Sequence, residues 1–306
     1  MMNSVFMGSP DFAIPSLNAL HDSSFKIQAV ISTPDKRRSR GGVMTSTPVK
    51  GRAVELGYPV HTFESTSDPE MESLLKKLKP DLLVVVAFRI LPPEILKIPE
   101  RGSINLHASL LPRYRGAAPI HWAIINGEEE TGCSVFFLNE SVDTGNVIRQ
   151  VRTRIGSDET TGDLYDRLKE LGATLLIESI EQIVHGDVEG VPQQEIEATP
   201  APKLYSKDAH IDFSHPSSDV HNRIRGLSPF PGAWARYKGE KMNLYRSRKG
   251  PDLDLARGEL LFAEGRYLLA GCGEGTVELR ELQLPGKSRI SGNDFANGYD
   301  LDTRLE

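Results

Sequence analysis

At 306 residues, 39% hydrophobic and 25% charged, the chain has the composition of an ordinary globular protein and a length that suits two domains, which excludes wholesale disorder. Two distant cysteines, Cys133 and Cys272, lack CxxC spacing and argue against a disulfide framework or a cysteine-based zinc site. No stretch approaches the ~18 apolar residues of a membrane span, and MMNSVFMGSPDF lacks a basic n-region, so a soluble protein of a reducing cytoplasm is expected, with no membrane or metal involved.

Residues 3–7 form a short apolar run that breaks at Gly8-Ser9-Pro10, after which Phe12, Leu17 and Leu20 recur at helical spacing: strand, turn, helix. A single glycine at this turn does not meet GxGxxG, so dinucleotide binding is not expected, and a helix start with Ser9 as N-cap and Pro10 at its first position accounts for it. Residues 26–32 and the continuous apolar run 81–87 (DLLVVVA) read as further strands, with helical stretches between them. Alternation of this kind implies a parallel α/β sheet.

A strand over 102–106 is followed by a Pro- and Arg-containing loop at 109–117 and a helix from about Pro119. Two strands, 131–138 and 147–155, meet through Asp143-Thr144-Gly145, and a helix over 161–185 presents Leu164, Leu168, Leu171 and Leu175 before stopping at Gly186. The Pro-rich stretch 190–203 (GVPQQEIEATPAPK) reads as a linker. Beyond it, short strands at 232–238, 241–245, 266–270 and 276–284, separated by Gly-containing turns, indicate a small β barrel or sandwich.

The net charge of −6 counts against a nucleic-acid partner for the chain as a whole, but the basic residues are unevenly spread. Lys36, Arg37, Arg38, Arg40, Lys50 and Arg52 face the single acid Asp35 within residues 32–52, a local charge of +5. Residues 236–249 repeat that balance with Arg236, Lys238, Lys241, Arg246, Arg248 and Lys249 against Glu240. Two such patches on an acidic body suggest a local polyanion footprint.

Asn105 and His107 stand two apart on a strand, so their side chains project to one side while Ile104 and Leu106 face the other. An amide and an imidazole then converge at the carboxyl end of a strand, where open α/β sheets place ligands. If Asp143 comes beside His107, an oxyanion could be met by Asn105 and a protonated His107, with the carboxylate assisting proton movement from an attacking amine. No metal or covalent intermediate is required.

The run Asn105-Leu106-His107-Ala108-Ser109-Leu110-Leu111-Pro112, continued by Tyr114-Arg115-Gly116 and Asp143-Thr144-Gly145, resembles the 10-formyltetrahydrofolate-dependent formyltransferases. FMGSPDFAIPSL, the 34–50 loop, RYRGAAPIHWAIINGE and KLYSKDAHIDF resemble the branch of that family whose acceptor is methionyl-tRNA. The resemblance implies a Rossmann-like catalytic domain (1–189), a linker (190–205) and an OB-like barrel (206–306) that helps hold tRNA. It further implies Asn105, His107 and Asp143 as the catalytic trio. Phe88, Arg89 and Leu91, with Ser109, Leu110, Leu111 and Pro112, would meet the folate donor. Lys36, Arg37, Arg38, Arg40 and Lys50 would meet initiator methionyl-tRNA, and the enzyme would be a monomer.

Two departures from the family pattern stand out. Gly42 and Val43 occupy positions where two lysines are common, and Ala87-Phe88-Arg89-Ile90-Leu91 is one residue shorter than the usual AYGQIL, without its glycine. The alternatives are an enzyme using the same donor on a small amine, such as an amino sugar nucleotide, and a non-catalytic RNA-binding module.

Overall fold

A computed structural model describes residues 2–37, 42, 44–186 and 188–306. In chain order the first elements are β1 (Asn3–Gly8), α1 (Ile14–Asp22), β2 (Lys26–Ser32), β3 (Lys36–Arg37), β4 (Met44–Thr45), α2 (Pro48–Glu55), β5 (Val60–Thr62), α3 (Pro69–Leu78) and β6 (Leu82–Val86). Then come α4 (Pro93–Leu96), β7 (Ser103–His107), α5 (Pro119–Ile125), β8 (Glu130–Phe137), β9 (Val147–Arg154) and α6 (Thr161–His185). The remainder comprises α7 (Ser217–Gly226), β10 (Ala233–Tyr237), β11 (Glu240–Lys249), β12 (Leu260–Ala263), β13 (Tyr267–Gly271), β14 (Thr276–Gln283), β15 (Ile290–Ser291) and α8 (Gly292–Gly298).

These elements fall into two compact units, one of residues 1–116, 132–152 and 166–200, the other of 117–131, 153–165 and 201–306. The first is built on a seven-stranded sheet in the order β5-β2-β1-β6-β7-β8-β9. β5 through β7 pair in parallel, and β8 joins β7 antiparallel, with His107 opposite Ser134 and Asn105 opposite Phe136. The sheet is therefore mixed rather than parallel throughout. Alternation of strands and helices announces crossovers but leaves the direction of an added edge open.

β6 is buried along its whole length, as expected of a strand covered on both faces. On one face Val5, Met7, Leu83 and Val85 pack with Met71 and Leu75 of α3 and Ile95 of α4. On the other, α6 approaches β7 closely at Gly172, where a Cβ would stand 2.8 Å from Leu106 Cδ2 and 3.4 Å from the Cys133 sulfur. Leu106 thus points toward α6, which leaves Asn105 and His107 for the opposite side.

The start of α1 differs from expectation. Residues 11–13 form a 3-10 turn capped by Pro10, and the α-helix begins only at Ile14. Ser9 caps nothing here, because its hydroxyl accepts the Thr33 amide at 3.2 Å and so ties the β1 turn to the end of β2.

The second unit holds a six-stranded antiparallel sheet, β10-β11-β14-β13-β12 with β15 on β14. Its core gathers Val220 and Ile224 of α7, Met242, Leu244, Val277, Leu279 and Phe295 of α8. The carboxy-terminal residues tie both edges: Arg236 of β10 exchanges backbone hydrogen bonds with Glu306 at 2.6 and 3.0 Å, and Leu305 donates to Gly258, just before β12, at 2.8 Å. Both cysteines are buried and unpaired, and burial pushes each thiol up to about 12, so neither offers a thiolate near neutral pH.

Candidate active site

β7 carries Asn105 and His107 to the carboxyl end of the parallel part of the sheet, and both neighbours of that end turn sharply. After β6 the chain enters the left-handed region at Ala87 (φ 49°), which folds Phe88–Leu91 across the strand ends. After β8, Asp143 (φ 54°) is left-handed too. The return at Gly145 is so tight that a Cβ there would lie 1.7 Å from the Phe137 carbonyl oxygen.

His107 is buried, and its Nε2–H donates to the Tyr114 carbonyl at 2.8 Å. That bond fixes the tautomer of the neutral ring and leaves Nδ1 facing Asp143, whose Oδ2 is 3.7 Å away. The same Oδ2 accepts the Gly116 amide at 2.9 Å. Phe136 stands edge-on to the imidazole, 6.4 Å between ring centres. Asn105, two residues before His107, shares the wall of a slot with Asp143, and the remaining walls come from Val85, Phe88, Arg89, Ile90, Leu91, Leu96, Leu138 and residues 139–142.

The three residues singled out as chemically active therefore meet at one place. Phe88, Arg89 and Leu91 line the same slot. The Arg89 guanidinium, however, donates to the carbonyls of Phe63 and Glu64, so it holds its own loop in place. Ser109, Leu110, Leu111 and Pro112 are not among the slot's lining residues. Ser109 and Leu111 are buried, and Ser134 ties them together by donating its hydroxyl to the Ser109 carbonyl at 2.6 Å and accepting the Leu111 amide at 3.0 Å.

Among the expected polyanion contacts, Lys36 and Arg37 are exposed on β3. Lys50 instead pairs with Asp35 at 2.8 Å, and Arg38 and Arg40 lie outside the described residues. The second basic stretch also divides. Lys238, Arg246 and Arg248 are paired with Asp300, Asp163 and Asp158, whereas Arg236 and Lys241 lie over the Trp234 ring, 6.0 and 5.3 Å from its centre.

Sequence reasoning missed Gln193. Its side chain lies in the Pro-rich stretch that reads as a linker, yet it donates to the carbonyls of Asp143 at 2.9 Å and Gly145 at 2.8 Å. Nothing in the pattern around a glutamine between Pro192 and Gln194 signals such a contact. Arg115, its partner, is visible in the Tyr114-Arg115-Gly116 run, but the run alone gives it no role. No cluster of three or more potential metal ligands occurs among the described residues.

With its Rossmann-like sheet unit and its antiparallel β unit, the chain belongs to the formyl transferase family. The "Formyl transferase" model matches residues 2–180, and the "Formyl transferase, C-terminal domain" model matches residues 203–300. The methionyl-tRNA formyltransferase of Pelotomaculum thermopropionicum is 43% identical over 98% of this chain and 96% of its own. That of Chlorobium luteolum is 42% identical over 97% of each. Among solved structures, the N-formyltransferase from Helicobacter canadensis in complex with folinic acid and dTDP-3-aminofucose shares the fold with a TM-score of 0.69, at 23% identity over 91% of this chain and 99% of that one.

Proposed function

We propose that the chain transfers the formyl group of 10-formyltetrahydrofolate to the α-amino group of methionyl-tRNA. Relatives bearing that activity in their names are 40 to 43% identical over nearly the whole length, which supports the acceptor as well as the reaction. The observation that carries the chemistry is that Asn105 and Asp143 line one slot while His107, behind it, stands 3.7 Å from the Asp143 carboxylate.

The donor supplies an activated one-carbon unit. The slot suits its flat ring, with Phe88, Leu91, Leu96, Leu138 and Val142 as apolar walls and polar groups of Asn139 and Asp143 at the edge. Asn105 offers N–H donors where the formyl oxygen gains charge as the amine adds. His107, anchored through Nε2, turns Nδ1 to Asp143, and the carboxylate takes a proton from the attacking amine; as the tetrahedral species collapses, the bond from the formyl carbon to the folate nitrogen breaks and that nitrogen leaves with a proton, so tetrahydrofolate is released. Ser109, Leu110, Leu111 and Pro112 follow His107 directly in the chain, and in this reading they meet the folate donor, with Ser109 and Leu111 buried and tied together through Ser134.

We assign catalysis to residues 1–189 and tRNA holding to an OB-like barrel over 206–306, joined by 190–205. Lys36, Arg37, Arg38 and Arg40 approach the acceptor arm of initiator methionyl-tRNA, with Lys50 fixing the base of their loop through Asp35. In this reading the enzyme works as a monomer in the cytoplasm. Replacing Asn105 with Ala should lower turnover by about 100-fold or more while leaving the unfolding temperature near that of the parent; near-parental turnover would reject the assigned chemistry.

A further inference from the structure

We propose that Gln193 is a positioning residue for the reaction, setting Asp143 against His107 from the stretch that follows α6. The inference rests on the function proposed above and adds to it a residue outside the catalytic trio.

Asp143 sits in a left-handed conformation, which a non-glycine residue holds only where its surroundings enforce it. The carbonyls of Asp143 and Gly145 flank this turn, and the Gln193 amide nitrogen donates to each, at 2.9 and 2.8 Å. On its other side the Gln193 oxygen accepts Nε and one Nη of Arg115, at 3.0 and 2.8 Å. Two donors and two lone pairs are thus all used, and the reverse orientation of the amide would set donors against donors and oxygen against oxygen.

Arg115 is itself fixed. Its guanidinium makes a two-pronged contact with Glu195 at 2.9 and 2.8 Å and holds that carboxyl below the usual carboxylate range. The next residue, Gly116, supplies the amide that Asp143 Oδ2 accepts. Asp143 is therefore gripped twice, through its backbone by Gln193 and through its carboxylate by Gly116. The stretch is held down on either side of Gln193: Val191 pairs with Val147, and Thr199 accepts the Tyr114 and Arg115 amides, both at 2.8 Å. The carboxylate stands 3.7 Å from the imidazole, and a misplacement of about 1 Å at such a site costs about 100-fold in rate.

The test compares the full chain with Gln193→Ala and Gln193→Glu, each alone and combined with Asp143→Asn, on 10-formyltetrahydrofolate and methionyl-tRNA. Gln193→Ala should lower kcat by about 10- to 100-fold, with KM for both substrates changed by less than about twofold. In the Asp143→Asn background the same change should cost almost nothing more, because its route runs through Asp143. An unchanged kcat, or a loss that persists in full beside Asp143→Asn, overturns the proposal. Gln193→Glu keeps oxygen atoms for Arg115 but turns a carboxylate on two carbonyls, so it should show the same loss even if the alanine variant does not fold, and full activity there overturns the proposal equally. Parental enzyme without turnover on methionyl-tRNA would instead sink the function itself and the proposal with it.

Discussion

Oδ2 of Asp143 stands 3.7 Å from Nδ1 of His107, inside ion-pair range and beyond that of a hydrogen bond. The Gly116 amide donates to the same oxygen at 2.9 Å and keeps the carboxylate from turning away. Asp143→Asn preserves shape and an acceptor for Gly116 but removes the charge. It should lower kcat by about 100-fold or more with little change in KM, read in steady-state assays varying each substrate in turn.

Gly145 has no room for a side chain, since the obstacle is the Phe137 backbone oxygen and not a movable side-chain tip. Gly145→Ala must open the turn that carries Asp143. A drop of about 1–3 kcal/mol in stability is expected, accompanied by a fall in turnover larger than the fraction unfolded explains. Thermal melting and kcat measured on the same preparation test both parts.

The basic residues near the β3 hairpin should not be equivalent. Lys36→Ala with Arg37→Ala removes two exposed charges and should raise KM for tRNA and flatten its dependence on salt, by a slope of about 0.7–0.9 for each phosphate no longer neutralised. Lys50→Ala, whose ammonium is held by Asp35, should change that slope less. A slope change for Lys50→Ala of about half that of the double variant or more would show that Lys50 leaves Asp35 to meet RNA.

His221 and His121 in the second unit both titrate below the ordinary histidine value of 6.5, chiefly because burial disfavours their charged forms. His221 donates Nε2–H to the Ser157 carbonyl and accepts the Ser247 hydroxyl, with Asp158, Arg225 and Arg248 as its charged neighbours. Well above pH 6.5 both rings are neutral in the folded and the unfolded chain, and their burial carries no protonation penalty. As pH falls below that value the unfolded chain takes up protons that the folded chain refuses, so stability declines until the folded histidines titrate as well. The unfolding temperature should fall on acidification from neutral pH, and less steeply in a His221→Gln variant.

Much of this was legible in the sequence, for identifiable reasons. The period of two in a strand set Asn105 and His107 on one side, and the continuous apolar run at 81–87 marked a doubly covered strand; β6 and β7 follow accordingly. Of the four leucines spaced along α6, Leu164, Leu168 and Leu175 are buried as their spacing implied and Leu171 is half-buried. The direction of β8 was not legible, because pairing direction leaves no mark on composition. Ser9 looked like an N-cap from its neighbours, but the backbone at the end of β2 took its hydroxyl. Gln193 was invisible because its partners are backbone carbonyls brought near only by the folded turn, and the pairing of Lys50 with Asp35 likewise depends on the folded loop.

The most direct measurement is transfer of a labelled formyl group from 10-formyltetrahydrofolate to initiator methionyl-tRNA, with an amino sugar nucleotide offered in parallel. Rapid labelling of the methionyl-tRNA and none of the sugar nucleotide is the expected result. Labelling of the sugar nucleotide alone would contradict the assigned acceptor while leaving the site at Asn105, His107 and Asp143 with its donor.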